Sequence, residues 1–107
     1  MEQSLNLKKR LTLHNKLVAI LGSDHVYFQP GPSITLKYPC IIYKRSTGDT
    51  KFADNKGYRF TKKYQITIID EDPDSGLIDE MAKLPMCVFD RHYTADNLNH
   101  DVFNLYF

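Results

Sequence analysis

The segment from Tyr58 to Ile68 constrains the fold most, because its side chains alternate in character. Successive side chains of a β-strand point to opposite faces of the sheet, so this period of two predicts a strand. One face is mostly apolar and the other is polar, which is typical of an antiparallel sheet packed on one side. The even positions of the segment are Tyr58, Phe60, Lys62, Tyr64, Ile66 and Ile68.

A helix is predicted over residues 5–21, where apolar residues recur at three- and four-residue steps. Ser4 is its expected N-cap, and Gly22 supplies the left-handed residue that commonly ends a helix. The expected buried stripe consists of Leu7, Leu11, Leu17, Val18 and Leu21.

A second, shorter helix follows the acidic run 70–74. Either Asp74 or Ser75 is expected to cap it, and Pro85 ends it because proline lacks an amide hydrogen. The expected buried face consists of Leu77, Ile78, Met81 and Ala82.

Four further strands complete the prediction, and the order of elements becomes α-β-β-β-α-β-β. Cys87, Phe89 and Tyr93 are expected to share one strand face. We therefore predict one α+β domain over residues 1–107: a mostly antiparallel sheet of about five strands with two helices on one face. The strands are expected at 25–29, 38–44, 86–95 and 101–107, with a polar loop at 46–57 and a turn at 95–99.

The composition and the N-terminal residues give no support to several classes of protein. A net charge of +1 gives no overall field that favours nucleic acid or an anionic membrane. The N-terminal residues lack the apolar run of a signal peptide, and no stretch is apolar enough to span a membrane. We therefore expect a cytosolic protein. Cys40 and Cys87 are expected to be buried free thiols, although the sequence leaves a bridge between them open.

Three constellations contain residue types that occur at chemical or binding sites. Asp70, Asp72 and Asp74 have the spacing of a calcium loop, but the glycine comes late and the twelfth position is Met81 rather than glutamate. The cluster of Asp90, His92, Asp96, His100 and Asp101 could hold a metal or perform acid–base chemistry. Alternation, however, is expected to place Asp90 and His92 on the strand face opposite Phe89 and Tyr93, and aspartate at position 96 is of a type that tight turns prefer. The sequence therefore predicts no enzyme, no metal and no cofactor.

The third constellation, KGYRFTKKY at 56–64, partly matches an RNA-binding signature in which sheet aromatics stack on bases. The sequence departs from that signature at two positions: Arg59 replaces a small residue, and Lys63 replaces an aromatic residue. A small nucleic-acid-binding module using Tyr58, Phe60 and the Lys62–Lys63 pair is therefore the alternative function.

The last strand raises a different question, because both of its faces are apolar. Phe103, Leu105 and Phe107 alternate with Val102 and Tyr106. Both faces of such a strand must be covered, either within one chain or by an adjacent subunit. If the strand lay at the edge of the sheet, its unpaired backbone groups could also pair with a strand of another molecule. Assembly is the explanation that the pattern favours.

Three stretches of the chain resemble the tail-terminator or tail-completion proteins of long-tailed bacteriophages, some of which are described as minor capsid proteins. The stretches are YPCIIYKR, FADNKGYRFTKKYQITIIDEDPDS and YTADNLNHDVFNLYF, and the similarity extends over most of the chain. The resemblance implies an α+β subunit of a ring, commonly a hexamer, that caps the tail tube and joins it to the head connector.

The partners implied by this resemblance are other copies of the chain, the tail-tube protein and a head-completion or connector protein. The implied location is the virion, at the tail–head junction, after assembly in the bacterial cytoplasm. No membrane is implied, and nucleic acid is not an expected partner. The candidate subunit or partner interface consists of Asp54, Asn55, Lys56, Arg59, Phe103, Leu105 and Phe107.

Overall fold

The computed structural model describes the backbone of residues 2–53 and 56–107, and the side chains of residues 7–46 and 61–107. The order α-β-β-β-α-β-β and the α+β class are confirmed. The elements are α1 (Glu2–Leu21), β1 (Val26–Phe28), β2 (Cys40–Ala53), β3 (Lys56–Asp70), α2 (Leu77–Ala82), β4 (Cys87–Ala95) and β5 (Leu98–Tyr106).

The strands form one sheet in the order β1-β2-β3-β5-β4. β1 pairs with β2 in parallel, and every other pair is antiparallel. The terminal strand β5 is therefore internal, between β3 and β4, and the two edges of the sheet are β1 and β4. Asp96 and Asn97 form the turn between β4 and β5 with φ of 54° and 61°, and such left-handed pairs suit a two-residue hairpin.

Both helices pack on one face of the sheet, where the core lies. Leu13 and Leu17 of α1 are fully buried there, together with Met81 of α2. The predicted stripe of α1 is partly wrong, because Leu7 and Leu11 are exposed. The strand residues of this core are Ile41, Tyr43, Tyr64, Ile66, Ile68, Phe103 and Leu105, with Val26 at its margin.

The helix ends agree with the sequence prediction at two points and differ at two. Gly22 has φ of 80° and its amide donates to the Val18 carbonyl, as expected of a residue that ends a helix, and α2 ends before Pro85. The N-cap of α2 is Gly76 rather than Asp74 or Ser75, although the Ser75 hydroxyl accepts a hydrogen bond from the Leu77 amide. Ser4 lies inside α1 and is not its N-cap.

The predicted polar loop at 46–57 is wrong. Residues up to Ala53 continue β2, and β3 begins at Lys56, so the two strands form a long hairpin. Pairing of β3 with β5 extends only to Lys63, opposite Tyr106. The part beyond it, residues 48–53 and 56–62, is a two-stranded ribbon that we call the β-hairpin arm. The extents of the chain are 50 × 26 × 24 Å.

Candidate self-association surfaces

The outer edge of the sheet at β4 carries a row of exposed apolar side chains. We call Met86, Val88, Phe89 and Tyr93 the β4 patch. Met86 is 63% exposed and Val88 is 59% exposed, although their neighbours on β5 are largely covered. In the described sheet, no strand pairs with the outer side of β4, so its backbone groups are open to a partner strand.

A β-bulge divides the β4 patch between the two faces of the sheet. Phe89 pairs with Phe103 on the helix face, and their rings meet edge to face with centroids 5.3 Å apart. The register shifts between Phe89 and Arg91, so Tyr93 lies on the opposite face and stacks on His100 with centroids 4.6 Å apart. The expectation that Phe89 and Tyr93 share a face is therefore wrong, because the bulge inserts one residue.

A second set of exposed apolar residues, Ile34 and Tyr38, lies in the connection between β1 and β2. We call them the opposite-edge patch, because this connection follows β1, the edge strand at the other end of the strand order from β4.

An open apolar pocket lies between α1, the connection after α2 and the end of β5. Its volume is about 140 Å³. The Lys16 ammonium lies at its margin, 5.4 Å from the centre of the Phe107 ring. Met86 belongs to both this pocket and the β4 patch. The lining residues are Leu13, Lys16, Leu84, Pro85, Met86, Leu105, Tyr106 and Phe107.

The candidate interface residues predicted from the sequence fall into two groups. Phe103 and Leu105 are buried in the chain's own core, and Phe107 packs against that core while lining the pocket. Phe103 therefore offers no exposed surface to a partner, and Leu105 is almost fully buried where it lines the pocket. Of the remaining candidates, Lys56 and Arg59 have their backbone in the β3 side of the β-hairpin arm. Asp54 and Asn55 lie outside the described residues.

The histidines near the C-terminus are divided between the two faces of the sheet. On the helix face, His92 Nδ1 donates to the buried Asp101 carboxylate over 2.8 Å. On the other face, His100 Nδ1 donates to the Leu98 carbonyl over 3.1 Å. The expectation that His92 lies opposite Phe89 is wrong for the same reason, the bulge in β4. The two imidazoles cannot act on one substrate atom from opposite faces.

Two carboxylates of the acidic run 70–74 accept hydrogen bonds from backbone amides of the same run. Asp70 Oδ1 accepts the Asp72 amide at 3.0 Å, and Asp72 Oδ1 accepts the Asp74 amide at 2.9 Å. Such contacts are ordinary for aspartates in turns. Within the described residues, no group of three or more His, Cys, Asp or Glu side chains is arranged to hold a metal ion.

Burial changes the acidity of four core groups. It raises the pKa of the Cys40 thiol to about 11, with a further contribution from the nearby Asp70 charge. Burial also raises the pKa of the half-buried Cys87 and of the Tyr43 and Tyr64 hydroxyls. Both cysteines are free thiols. A raised pKa disfavours the reactive thiolate, so neither is prepared as a nucleophile.

No helix in the described part of the chain is long and apolar enough to cross a membrane. Comparisons of the chain with protein-family models, with curated proteins and with solved structures found no match.

Proposed function

We propose that the chain is a structural protein of a long-tailed bacteriophage that forms a ring, caps the tail tube and joins it to the head connector. The observation that supports this proposal best is the presence of two different sets of exposed apolar residues, one on the edge strand β4 and one in the connection that follows the other edge strand, β1. A contact between unlike surfaces leaves both outer surfaces free, so further copies add until the rotation closes a ring.

The available surface is sufficient for such a ring. A stable protein interface buries roughly 800 Å² on each partner. The accessible surface of the chain is 7137 Å², so two such contacts would cover roughly a fifth of it. The β4 patch supplies the apolar centre of one contact, and the opposite-edge patch supplies that of the other.

The β-hairpin arm supports a role in assembly as well. An isolated two-stranded hairpin is at best marginally stable in water, so a ribbon projecting from its sheet gains most from a partner. In the proposed ring the arm contacts a neighbouring copy or the tail tube. Replacing Lys56 and Arg59 with glutamate is expected to weaken association and to leave the melting temperature of the monomer nearly unchanged. Unfolding of the double variant would assign both residues to the fold instead.

Charge-introducing variants test the two patches separately. Size-exclusion chromatography with light scattering should give a ring for the unmodified chain and a monomer for Val88→Lys or Ile34→Lys. Leu7→Lys is the matched control, because Leu7 is similarly exposed but lies on α1. It should retain the ring.

Mixing the two disrupted variants tests whether the contact joins unlike surfaces. Ile34→Lys retains the β4 patch and Val88→Lys retains the opposite-edge patch, so the mixture should form dimers and nothing larger. If Ile34→Lys forms dimers by itself, the β4 patch pairs with its own copy and the proposed ring contact is wrong.

The role in the tail is tested with the tail-tube protein of the same phage. Rings added during polymerisation of that protein should arrest tube growth and lie at tube ends in negative-stain electron micrographs. Val88→Lys should not arrest growth. Rings that form but leave tube length unchanged would exclude the terminator role and retain the ring.

A second candidate function, nucleic-acid binding, is favoured by the charge distribution. The segment 44–63 contains seven of the 14 basic residues and two of the 13 acidic ones. Fluorescence anisotropy with single-stranded RNA at about 50 and about 200 mM salt tests it, since phosphate contacts make affinity fall steeply with salt. Salt-dependent binding by a monomer would favour this function over the ring.

A further inference from the structure

We infer that the hydrogen bond between His92 and Asp101 fixes the register of β4 beyond its bulge, and that His92 is thereby a positioning residue for the β4 patch. The register itself is a property of a single chain, whereas its consequence for association rests on the proposed function. A role is thus assigned to Asp101, which is the only buried charged side chain among those that the structure describes.

The bulge separates two ways of pairing β4 with β5. Up to Phe89 the two strands pair without interruption, and Asp90 is then the extra residue that shifts all later pairs by one position. If the earlier pairing simply continued, Arg91 instead of His92 would lie opposite Asp101. We call that pairing the continuous register and the observed one the bulged register.

The bulged register gives a buried carboxylate a short hydrogen bond. Asp101 is 5% exposed, and its pairing partner on β3 is the buried Ile68. His92 Nδ1 donates to the carboxylate over 2.8 Å, while 42% of the His92 side chain stays exposed. A buried carboxylate without a partner is costly, so a register that supplies a donor is favoured.

The bulged register also keeps two charged side chains in water. Asp90 and Arg91 form an exposed ion pair at the bulge, 2.6 Å long. In the continuous register Asp90 would lie opposite the buried Val102, and the Arg91 guanidinium would face Asp101 beside the core. Charged groups lose hydration on burial, so His92 is the better donor for this carboxylate. Without His92, Arg91 is the donor that the continuous register brings to Asp101.

The register decides which face of the sheet carries Tyr93. In the bulged register Tyr93 lies opposite His100 on the face without helices, and the two rings stack. In the continuous register it would lie opposite Asn99, on the helix face. Because Tyr93 belongs to the β4 patch, His92 determines the face of the sheet on which a neighbouring copy meets this ring.

Nuclear Overhauser effects between the backbones of β4 and β5 measure the register directly. The Ile34→Lys background is used, because it is expected to prevent ring formation and leaves β4 unchanged. There Tyr93 should show contacts to His100, and His92→Ala should replace them with contacts to Asn99. His92→Asn should retain the contacts to His100, since its amide nitrogen lies near the position of imidazole Nδ1 and donates to the same carboxylate.

Melting temperatures in the same background test whether Arg91 is the competing donor. Arg91→Ala alone should have little effect, because exposed ion pairs contribute little to stability. His92→Ala should lower the melting temperature by roughly 5–15 °C. Arg91→Ala should then cost more when added to His92→Ala than it does alone, because Arg91 has become the partner of Asp101. Equal effects of Arg91→Ala in both chains would contradict the exchange of donors.

Asp101→Leu provides the register measurement if His92→Ala does not fold. It removes the acceptor without leaving a buried charge, a replacement that cores often tolerate. The contacts between Tyr93 and His100 should again be lost. If either variant folds and retains those contacts as its only set, the inference is overturned and the proposed ring is unaffected.

Association tests the consequence for the β4 patch in chains with the natural Ile34. Where rings form, His92→Ala should raise the concentration at which they dissociate about tenfold or more, and His92→Asn should not. A shifted register with unchanged rings would overturn the positioning role of His92. If the unmodified chain is monomeric at all concentrations, the proposed ring is wrong and the positioning role is wrong with it, whereas the register is still decided by the contacts of Tyr93.

Discussion

Truncating Phe103 to alanine distinguishes a core role for the terminal strand from an interface role. Phe103 is fully buried in the core and contacts the Phe89 ring on the neighbouring strand. Removing a buried phenylalanine side chain typically costs about 3–5 kcal/mol, because both transfer energy and packing are lost. Since a domain of this size has a free energy of unfolding of about 5–15 kcal/mol, the variant should be marginally stable.

Urea unfolding followed by far-ultraviolet circular dichroism measures this loss at low protein concentration, where association does not add to stability. If Phe103→Ala does not fold, Phe103→Leu provides the measurement. It should lower the free energy of unfolding by about 1 kcal/mol and the melting temperature by about 4–8 °C.

Phe89→Ala is the matched control, because Phe89 is the partner ring in the same contact but is about half exposed. Phe89→Ala should lower the free energy of unfolding by only about 1–2 kcal/mol. It removes the same ring pair as Phe103→Ala but less buried apolar surface. It should also weaken association, which Phe103→Leu should not. The reasoning is refuted if Phe103→Ala unfolds within about 0.5 kcal/mol of the unmodified chain but no longer associates.

Three further predictions concern the core. Tyr43→Phe removes the hydrogen bond between the Tyr43 hydroxyl and His14 Nδ1, 2.8 Å long, and should lower the free energy of unfolding in urea by about 1 kcal/mol. A thiol reagent at about pH 8 should modify Cys87 before Cys40, since Cys40 is the more deeply buried; equal rates, counted by mass spectrometry, would contradict this. The free energy of unfolding should fall between pH 9 and pH 11. The reason is that the pKa of the Cys40 thiol is 9.0 in the unfolded chain and about 11 in the folded chain, so the thiol of the unfolded chain ionises at a lower pH. Stability should be unaffected by this group below pH 9, should fall by about 2 kcal/mol by pH 11, and should fall less in Cys40→Ala.

The order of elements could be predicted because each boundary has a local chemical signal. Gly22 and Pro85 mark the ends of the helices, and Asp96–Asn97 marks the turn between the last two strands. Apolar and other residues alternate along the core strands because one face of each strand packs against the helices. Residues on that face, such as Ile66 and Ile68, are therefore apolar. These signals depend on neighbours in the sequence and can be identified without a structure.

The β2 side of the β-hairpin arm could not be predicted in this way, whereas alternation from Tyr58 onward predicts a strand on its β3 side. Residues 46–57 contain two glycines together with Asp49, Asp54 and Asn55, which are typical of turns. The sequence therefore resembles a loop, although the backbone from Thr47 to Ala53 is paired with β3.

The β4 patch was missed for a different reason. Strand order is a property of the whole sheet, and no local pattern indicates that β4 is an edge while the terminal strand β5 is internal. The bulge then reverses which face Tyr93 occupies relative to Phe89. A single inserted residue has no compositional signal, so alternation counted along the sequence assigns the wrong face beyond it.

The position of β5 explains why a terminal strand can be apolar on both faces without being an interface. Phe103 and Leu105 lie under the helices, and Val102 is also buried on the other face, as are Cys40 and Ile69 on β2 and β3. Burial on both sides of β5 shows that one chain covers Phe103 and Leu105 on one face and Val102 on the other. The apolar character of the C-terminus is therefore accounted for within one chain. The surface that still lacks a partner is one strand further out, on β4, and a proposal of self-association depends on that strand.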